Sequence, residues 1–209
     1  KNSVAPTCLN PQGRSGLAAT TVGSKAIFAG GSSSSTGLSA VVDIYDDATG
    51  TWTSTTLSLA RSGLTATTVG TKALFAGGDA AGGASDVVDI YDAASGTWTT
   101  DMLSTARFIM GSASVGSKAL FAGGTDLVGS SDVVDIYDTS ANTWSVTHLS
   151  KARVGPSATS AGNMAFFGPG ESSSDSGVDI YNTSTGTWST ANLSQARQFP
   201  LATAAGDRV

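Results

Sequence analysis

Apolar and polar residues alternate along this chain in short runs, and nowhere at the three-to-four spacing of a capped helix. Leu17–Val22 is rich in β-forming residues, Gly23-Ser24 reads as a turn, and Lys25–Ala29 reads as a second strand that stops at Gly30-Gly31. A polar tract, Ser32–Ser39, follows. Ala40–Tyr45 is then a third strand, Asp46–Gly50 a turn by its Asp and Gly content, and Thr51–Leu57 a fourth strand. Within the third strand Val41, Val42, Ile44 and Tyr45 are apolar with almost no alternation, the pattern of a strand covered on both faces. The pattern predicts an all-β chain of four-stranded units.

The unit recurs. Its clearest copy runs from Arg61 to Trp98, R-S-G-L-T-A-T-T-V-G-T-K-A-L-F-A-G-G, a loop, then D-V-V-D-I-Y-D-A-A-S-G-T-W. Tryptophan falls at 52, 98, 144 and 188, and arginine at 14, 61, 107, 153 and 197. The repeats therefore span approximately 14–58, 61–104, 107–150 and 153–194, with partial units at 1–13 and 197–209. Periods of this length mark solenoids, propellers or arrays. A single unit is too small to bury a core, so residues 1–209 are expected to form one body. A small sheet is covered on both faces when identical sheets flank it, and radial packing of such sheets is a β-propeller.

The diglycines Gly30-Gly31, Gly77-Gly78 and Gly123-Gly124, and the pairs Tyr45/Trp52, Tyr91/Trp98, Tyr137/Trp144 and Tyr181/Trp188, resemble the kelch repeat. The resemblance covers essentially the whole chain. The fourth unit departs from it: Gly168-Pro169-Gly170 replaces the diglycine, Asn163 replaces the lysine, and the loop is two residues shorter, so distortion of its second and third strands is expected. The resemblance implies a kelch-type propeller of four-stranded antiparallel blades, closing with six or seven. This chain supplies four complete blades, with Val4–Leu9 as a last strand of an earlier unit and the segment from Arg197 as the first strand of another.

Trp52, Trp98, Trp144 and Trp188, with Tyr45, Tyr91, Tyr137 and Tyr181, are expected to be scaffold, each tryptophan wedged between blades. Arg14, Arg61, Arg107, Arg153 and Arg197 share one slot, and a link to the series Asp43, Asp89, Asp135 and Asp179 is expected. No helix follows the glycine pairs, which excludes a phosphate cradle.

Composition narrows the chemistry. Only 13% of residues are charged and the net charge is −5; the few basic residues mostly occupy repeat positions, which argues against nucleic acid. Cys8 is the single cysteine, so no internal disulfide forms. No apolar stretch is long enough to span a membrane. Low lysine content with abundant Ser and Thr leans towards the outside of the cell, though nothing fixes the compartment. His148 is the only histidine, with no nucleophile motif near it, and no carboxylate spacing matches a calcium loop; no catalysis, metal or cofactor is expected. The turns D-A-T-G-T-W and A-A-S-G-T-W are one residue short of the sialidase turn S-x-D-x-G-x-T-W.

Comparing the copies locates a binding face. The turns between first and second and between third and fourth strands barely vary, whereas the second–third loops and inter-blade connections, at the opposite face, differ in every unit. The resemblance implies peptide or protein binding on this face, through residues just after the repeat arginine. The candidates are Ser15, Ser62, Phe108, Ile109, Val154, Gln198 and Phe199, with Asp79, Asp126 and Glu171 from the partner loops. Phe108, Ile109 and Phe199 could supply an apolar anchor or fill the channel wall. The expected function is a non-enzymatic interaction module for a protein or peptide. A carbohydrate-binding or sugar-processing propeller and a structural subunit of a larger assembly are the alternatives.

Overall fold

A computed structural model describes residues 13–204; Val4–Leu9, Cys8 and the end of the last partial unit lie outside them. Among the described residues there are no helices, and four antiparallel four-stranded sheets follow one another along the chain. The first blade joins Ala18–Val22, Lys25–Ala29, Val41–Asp46 and Thr51–Thr56. The second joins Thr65–Val69, Lys72–Ala76, Val87–Asp92 and Thr97–Met102. Gly111–Val115, Lys118–Ala122, Val133–Asp138 and Thr143–His148 form the third, and Ala158–Ala161, Met164–Phe167, Gly177–Asn182 and Thr187–Asn192 the fourth. In every blade the strands pair in sequence order, the meander of a β-propeller.

First strands sit side by side across blades. Thr20 Oγ1 lies 2.9 Å from Thr68 Oγ1, and Ser112 Oγ lies 2.7 Å from Thr65 Oγ1 while donating to the Ala66 carbonyl at 3.0 Å. The fourth strands are the outermost and mostly exposed. The third strands of the second and third blades are buried on both faces, as their unbroken apolar pattern requires, whereas those of the first and fourth are only partly covered.

Three apolar cores fill the gaps between successive blades. Ile27, Val42 and Ile44 of the first blade meet Ala73, Phe75 and Tyr91 of the second. Leu74, Val88 and Ile90 meet Ala119, Phe121 and Tyr137, and Leu120, Val134 and Ile136 meet Ala165, Phe167 and Tyr181. Each fully buried aliphatic or Phe side chain contributes about 1.5–3 kcal/mol relative to exposure, so the blades hold one another rather than themselves. Trp98, Trp144 and Trp188 close these cores at the outer edge and are half-buried, not enclosed. Each stands opposite its Tyr in the register, with ring centroids 5.1–5.3 Å apart across all four blades.

The arginine slot forms a latch. Arg61, from the connection ahead of the second blade, donates to the carbonyls of Gly77 (2.8 Å) and Val87 (2.6 Å) and to Asp89 Oδ2 (2.5 Å). Arg107 repeats this with Gly123 (2.5 Å), Val133 (2.8 Å) and Asp135. The second carboxylate oxygen accepts the backbone N–H of a serine at the end of the preceding blade: Ser58 to Asp89 and Ser104 to Asp135 at 2.9 Å, Ser150 to Asp179 at 2.8 Å. Arg61 and Arg107 are buried, and that burial pulls their pKa below the ordinary value against the opposing effect of Asp89 and Asp135. Their Nε atoms are buried without a partner. In the fourth unit Asp175 stands where Ser39, Ser85 and Ser131 stand in the others, and Arg153 Nε donates to it at 2.9 Å. Burial lowers the Arg153 pKa, but Asp179 and Asp175 together raise it above the usual range.

Each diglycine is wedged between two connections. Gly77 has φ +62° and Gly78 φ +114°, and Gly78 N–H donates to the Arg107 carbonyl at 2.9 Å. In the fourth unit Gly168 and Gly170 are not left-handed, and the second strand is four residues long instead of five. Its first strand is likewise four residues long while its third keeps the full six, so the departure falls on the first and second strands, not on the second and third as expected. The tract Ser32–Ser39 is not structureless: Ser32–Ser33 pairs with Gly37–Leu38, as Asp79–Ala80 pairs with Gly83–Ala84 in the second blade. No strand is present over residues 197–204, and Arg197 is exposed.

A Cβ on Gly77 would lie 2.3 Å from the Arg107 carbonyl oxygen, whereas one on Gly70, also left-handed at φ +58°, would meet nothing. Gly70→Ala is expected to cost about 1 kcal/mol from backbone conformation alone, and Gly77→Ala at least about 3 kcal/mol because the clash is added. Equilibrium urea unfolding of the two variants checks the difference.

Candidate functional site: the loop face

The second–third loops and the inter-blade connections emerge together on one face. The residue after each arginine pairs with the first residue of the partner loop: Ser15 with Ser32, Ser62 with Asp79 and Phe108 with Thr125, each through two backbone hydrogen bonds of 2.7–3.0 Å. In the fourth unit Glu171 N–H donates to the Val154 carbonyl at 2.9 Å.

One residue further on, the connections bond to each other. Gly63 N–H donates to the Gly16 carbonyl, Ile109 N–H to Gly63 and Gly155 N–H to Ile109, at 2.8–2.9 Å. This belt requires a left-handed backbone: φ is +65° at Gly16, +62° at Gly63, +53° at Ile109, +60° at Gly155 and +43° at Phe199. Glycine occupies three of these five positions at no steric cost. A β-branched Ile and a Phe occupy the other two, a conformation that costs roughly 1–3 kcal/mol per residue and concentrates at functional sites. Phe199 N–H donates to Gly170 at 2.8 Å instead of to Gly155, which ends the belt at the fourth blade.

The two strained side chains both lie against Gly155. A Cβ on Gly155 would lie 2.9 Å from Phe199 Cε1 and 3.2 Å from Ile109 Cγ2, so the absence of a side chain at Gly155 makes room for both. Ile109 is 43% exposed and Phe199 51%. Phe108 lies against Gly63 and is half-buried. Of the expected contact residues, Ser15 and Gln198 are exposed, Ser62 is half-buried, and Val154 is buried and presents nothing to solvent. Asp79 is half-buried in its short ribbon, and Glu171 is exposed.

Asp126 is exposed, and its Oδ1 accepts the N–H groups of Val128 and Gly129 at 2.9 and 3.0 Å, which hold its pKa below the carboxylate range. This turn lifts Leu127 (φ +78°) and Val128 into solvent. The pair was missed as a contact element, although two adjacent apolar residues in the tract T-D-L-V-G-S-S were the signal. A cleft of about 340 Å³ runs beside the loop, between Thr105–Arg107 and Asp126–Val133. His148 Nδ1 lies 3.2 Å from Asp132 Oδ1, and both are at the surface. No cluster of three or more His, Cys, Asp or Glu is placed to hold a metal among the described residues.

The opposite face differs in kind. Its charges are paired, Lys25 with Asp46 at 2.5 Å, Lys72 with Asp92 at 3.4 Å, and Lys118 with Asp138, and its one large exposed apolar side chain among the described residues is Met164, which the register, contrary to expectation, puts in the lysine position instead of Asn163. The hydrogen bond from Lys25, the backbone N–H of Ala94 and the hydrogen bond from Lys118 hold Asp46, Asp92 and Asp138 respectively below the carboxylate range.

Comparison with protein-family models finds no match, and comparison with curated proteins finds none either. Among solved structures, that of YjhT is similar: it shares 15% sequence identity with a TM-score of 0.70, over 91% of this chain and 74% of that one. At this identity the likeness speaks to fold alone, and it supports the propeller architecture. No helix among the described residues is long and apolar enough to cross a membrane.

The paired carboxylates set an acid dependence. Their folded-state pKa values lie below the unfolded value of about 3.9, so they stabilise the protein above that pH and the contribution is lost as pH falls towards the folded values. The raised pKa of Lys25, held by Asp46, acts at the other end: its contribution is present below about pH 10 and lost above it. Thermal melts from pH 5 down to 2 should fall steeply for the natural protein and less steeply for the triple variant Asp46→Asn, Asp92→Asn, Asp138→Asn.

Proposed function

We propose that this chain is part of a kelch-type β-propeller whose loop face binds a protein or peptide, without catalysis of its own. The observation that carries this reading is the distribution of exposed apolar groups. Ile109, Leu127, Val128, Phe199 and Leu201 all lie in connections and loops of one face, whereas the other carries Met164 alone. Clustered apolar exposure on a rigid scaffold marks an interaction surface, and strain at Ile109 and Phe199 is retained where the side chain is needed. The Tyr–Trp pairs, diglycines and the meander of each blade support the kelch assignment.

The cleft beside Arg107 favours a second, smaller ligand class. Ser130, Ser131, Asp126 and Asp132 line it, a donor and acceptor set suited to sugar hydroxyls.

Peptides selected from a displayed random library against the natural protein test the main reading. Their affinity should drop at least tenfold, about 1.4 kcal/mol, for Ile109→Asp or Phe199→Asp, and stay unchanged for Asp47→Asn in a turn of the opposite face. Equal affinity for all three variants would remove the loop face as the binding surface. A glycan array showing binding that is lost in Asp126→Asn would favour the sugar reading instead.

A further inference from the structure

The charges of this chain are not shared evenly between its faces. Among the described residues every lysine and arginine apart from Arg197 sits in an ion pair: the arginines in their latches, three lysines with aspartates of the opposite face, and Lys151 with Asp175 at 3.7 Å. Acids outnumber bases 16 to 11 over the whole sequence, and the surplus has a location. Asp79, Asp86, Asp126 and Glu171 meet no cation among the described residues, and Asp132 is within ion-pair distance of His148 alone. Asp79, Asp126 and Glu171 stand in the second–third loops, and Asp86 and Asp132 just ahead of a third strand at the same end. Of the other two unpaired acids, Asp47 lies in a turn of the opposite face, and Asp101, on an outer strand, accepts the Trp144 indole N–H at 2.7 Å.

Two of these acids accompany an apolar tip on the third blade. Leu127 is 69% exposed and Val128 94%. The scaffold does not demand them. The second blade closes a loop of the same length through the same bond, Ser85 N–H to Gly78 as Ser131 N–H to Gly124, both at 2.8 Å, with Ala81 and Gly82 at its tip. At the foot of the third-blade loop Thr125 pairs with Phe108, and the exposed Ile109 follows Phe108 in the chain. The cleft of about 340 Å³ beside this tip has Asp126 and Asp132 in its wall. Arg107 also lines it, but its guanidinium is latched to Asp135.

We propose that the partner of the loop face is a basic protein segment, in which an aliphatic or aromatic residue packs on Leu127 and Val128 and a neighbouring lysine or arginine enters the cleft beside Asp126 and Asp132. This rests on the reading of that face as a peptide-binding surface, and it names the chemistry of the ligand. An apolar tip alone accepts any hydrophobic segment, whereas the acids around it select against acidic ones by placing like charges together. The methylene stem of a lysine or arginine suits a site with an apolar rim and carboxylates beyond it. Unpaired negative charge gathered on one face also steers a cationic partner there before contact, and makes association fall as salt rises.

Peptides recovered from a displayed random library on the natural protein are the probe. They should be enriched in Lys or Arg next to Leu, Ile, Val or Phe, and depleted in Asp and Glu. The affinity of one such synthetic peptide, read by fluorescence polarisation, should fall about tenfold or more for the double variant Asp126→Asn, Asp132→Asn and for Leu127→Ser. Asp47→Asn, which removes a charge from the opposite face, should leave it unchanged. Asparagine at 126 keeps an oxygen for the N–H groups of Val128 and Gly129, so the loop is held and circular dichroism should not change. Added salt should weaken binding to the natural protein, and far less so binding to the double variant. Replacing the basic residues of the peptide by glutamine should cost the natural protein about tenfold and the double variant little, because the same interaction is already gone. Recovered peptides that are neutral or acidic, or a basic peptide indifferent to the two asparagines, would overturn the partner's chemistry while leaving the face as a binding surface. A library from which nothing is recovered would remove that reading and this proposal with it.

Discussion

Everything in this molecule rests on a guanidinium held inside the fold. A four-stranded sheet of roughly 45 residues cannot bury a core, so stability has to come from the gaps between sheets. Apolar side chains fill those gaps but do not fix which connection meets which strand. The arginine does. In the second and third blades it ties together, from the segment that enters the blade, the end of the second strand, the start of the third, and a carboxylate whose other oxygen holds the end of the preceding blade. Burying such a pair gains little by itself, because desolvation offsets the attraction, but losing one partner strands the other's charge. The latch is thus better understood as fixing register between blades than as a source of net stability.

The latch also explains the shape of the loop face. Because the arginine is pulled inward, the next two residues are held in a fixed turn, one paired with the partner loop and the next left-handed in the belt between connections. The scaffold therefore sets the backbone at these positions, and the side chains are free to differ. Gly16, Gly63 and Gly155 meet the backbone requirement at no cost; Ile109 and Phe199 meet it under strain and place two apolar groups around Gly155. The opposite face is built from tight turns and lysine–aspartate pairs, and leaves little unpaired.

Much of this was legible in the sequence, because a repeat shows its own constraints. The period and the doubly apolar V-V-D-I-Y strand gave four-stranded blades with boundaries within a residue or so, and the shared spacing of Arg and Asp pointed to their pairing. The loop face was legible through the copies' disagreement. What could not be read was direction and depth. Val154 and Phe108 follow the same arginine slot, yet one is buried and the other half-exposed, since that depends on how neighbouring connections pack. The tryptophans stand at the rim of the inter-blade cores, not inside them, because the fourth strand is outermost. Nor does spacing reveal that Asp175, at a serine position, supplies Arg153 Nε with the partner that Arg61 and Arg107 lack.

The most direct test of the latch is a double-mutant cycle on Arg107 and Asp135, read by equilibrium unfolding. Arg107→Met and Asp135→Leu should each destabilise by about 3–5 kcal/mol, and the double variant by clearly less than their sum, because the pair is removed together and no buried charge is left alone. Single variants that each cost under about 1 kcal/mol and add without coupling would contradict it.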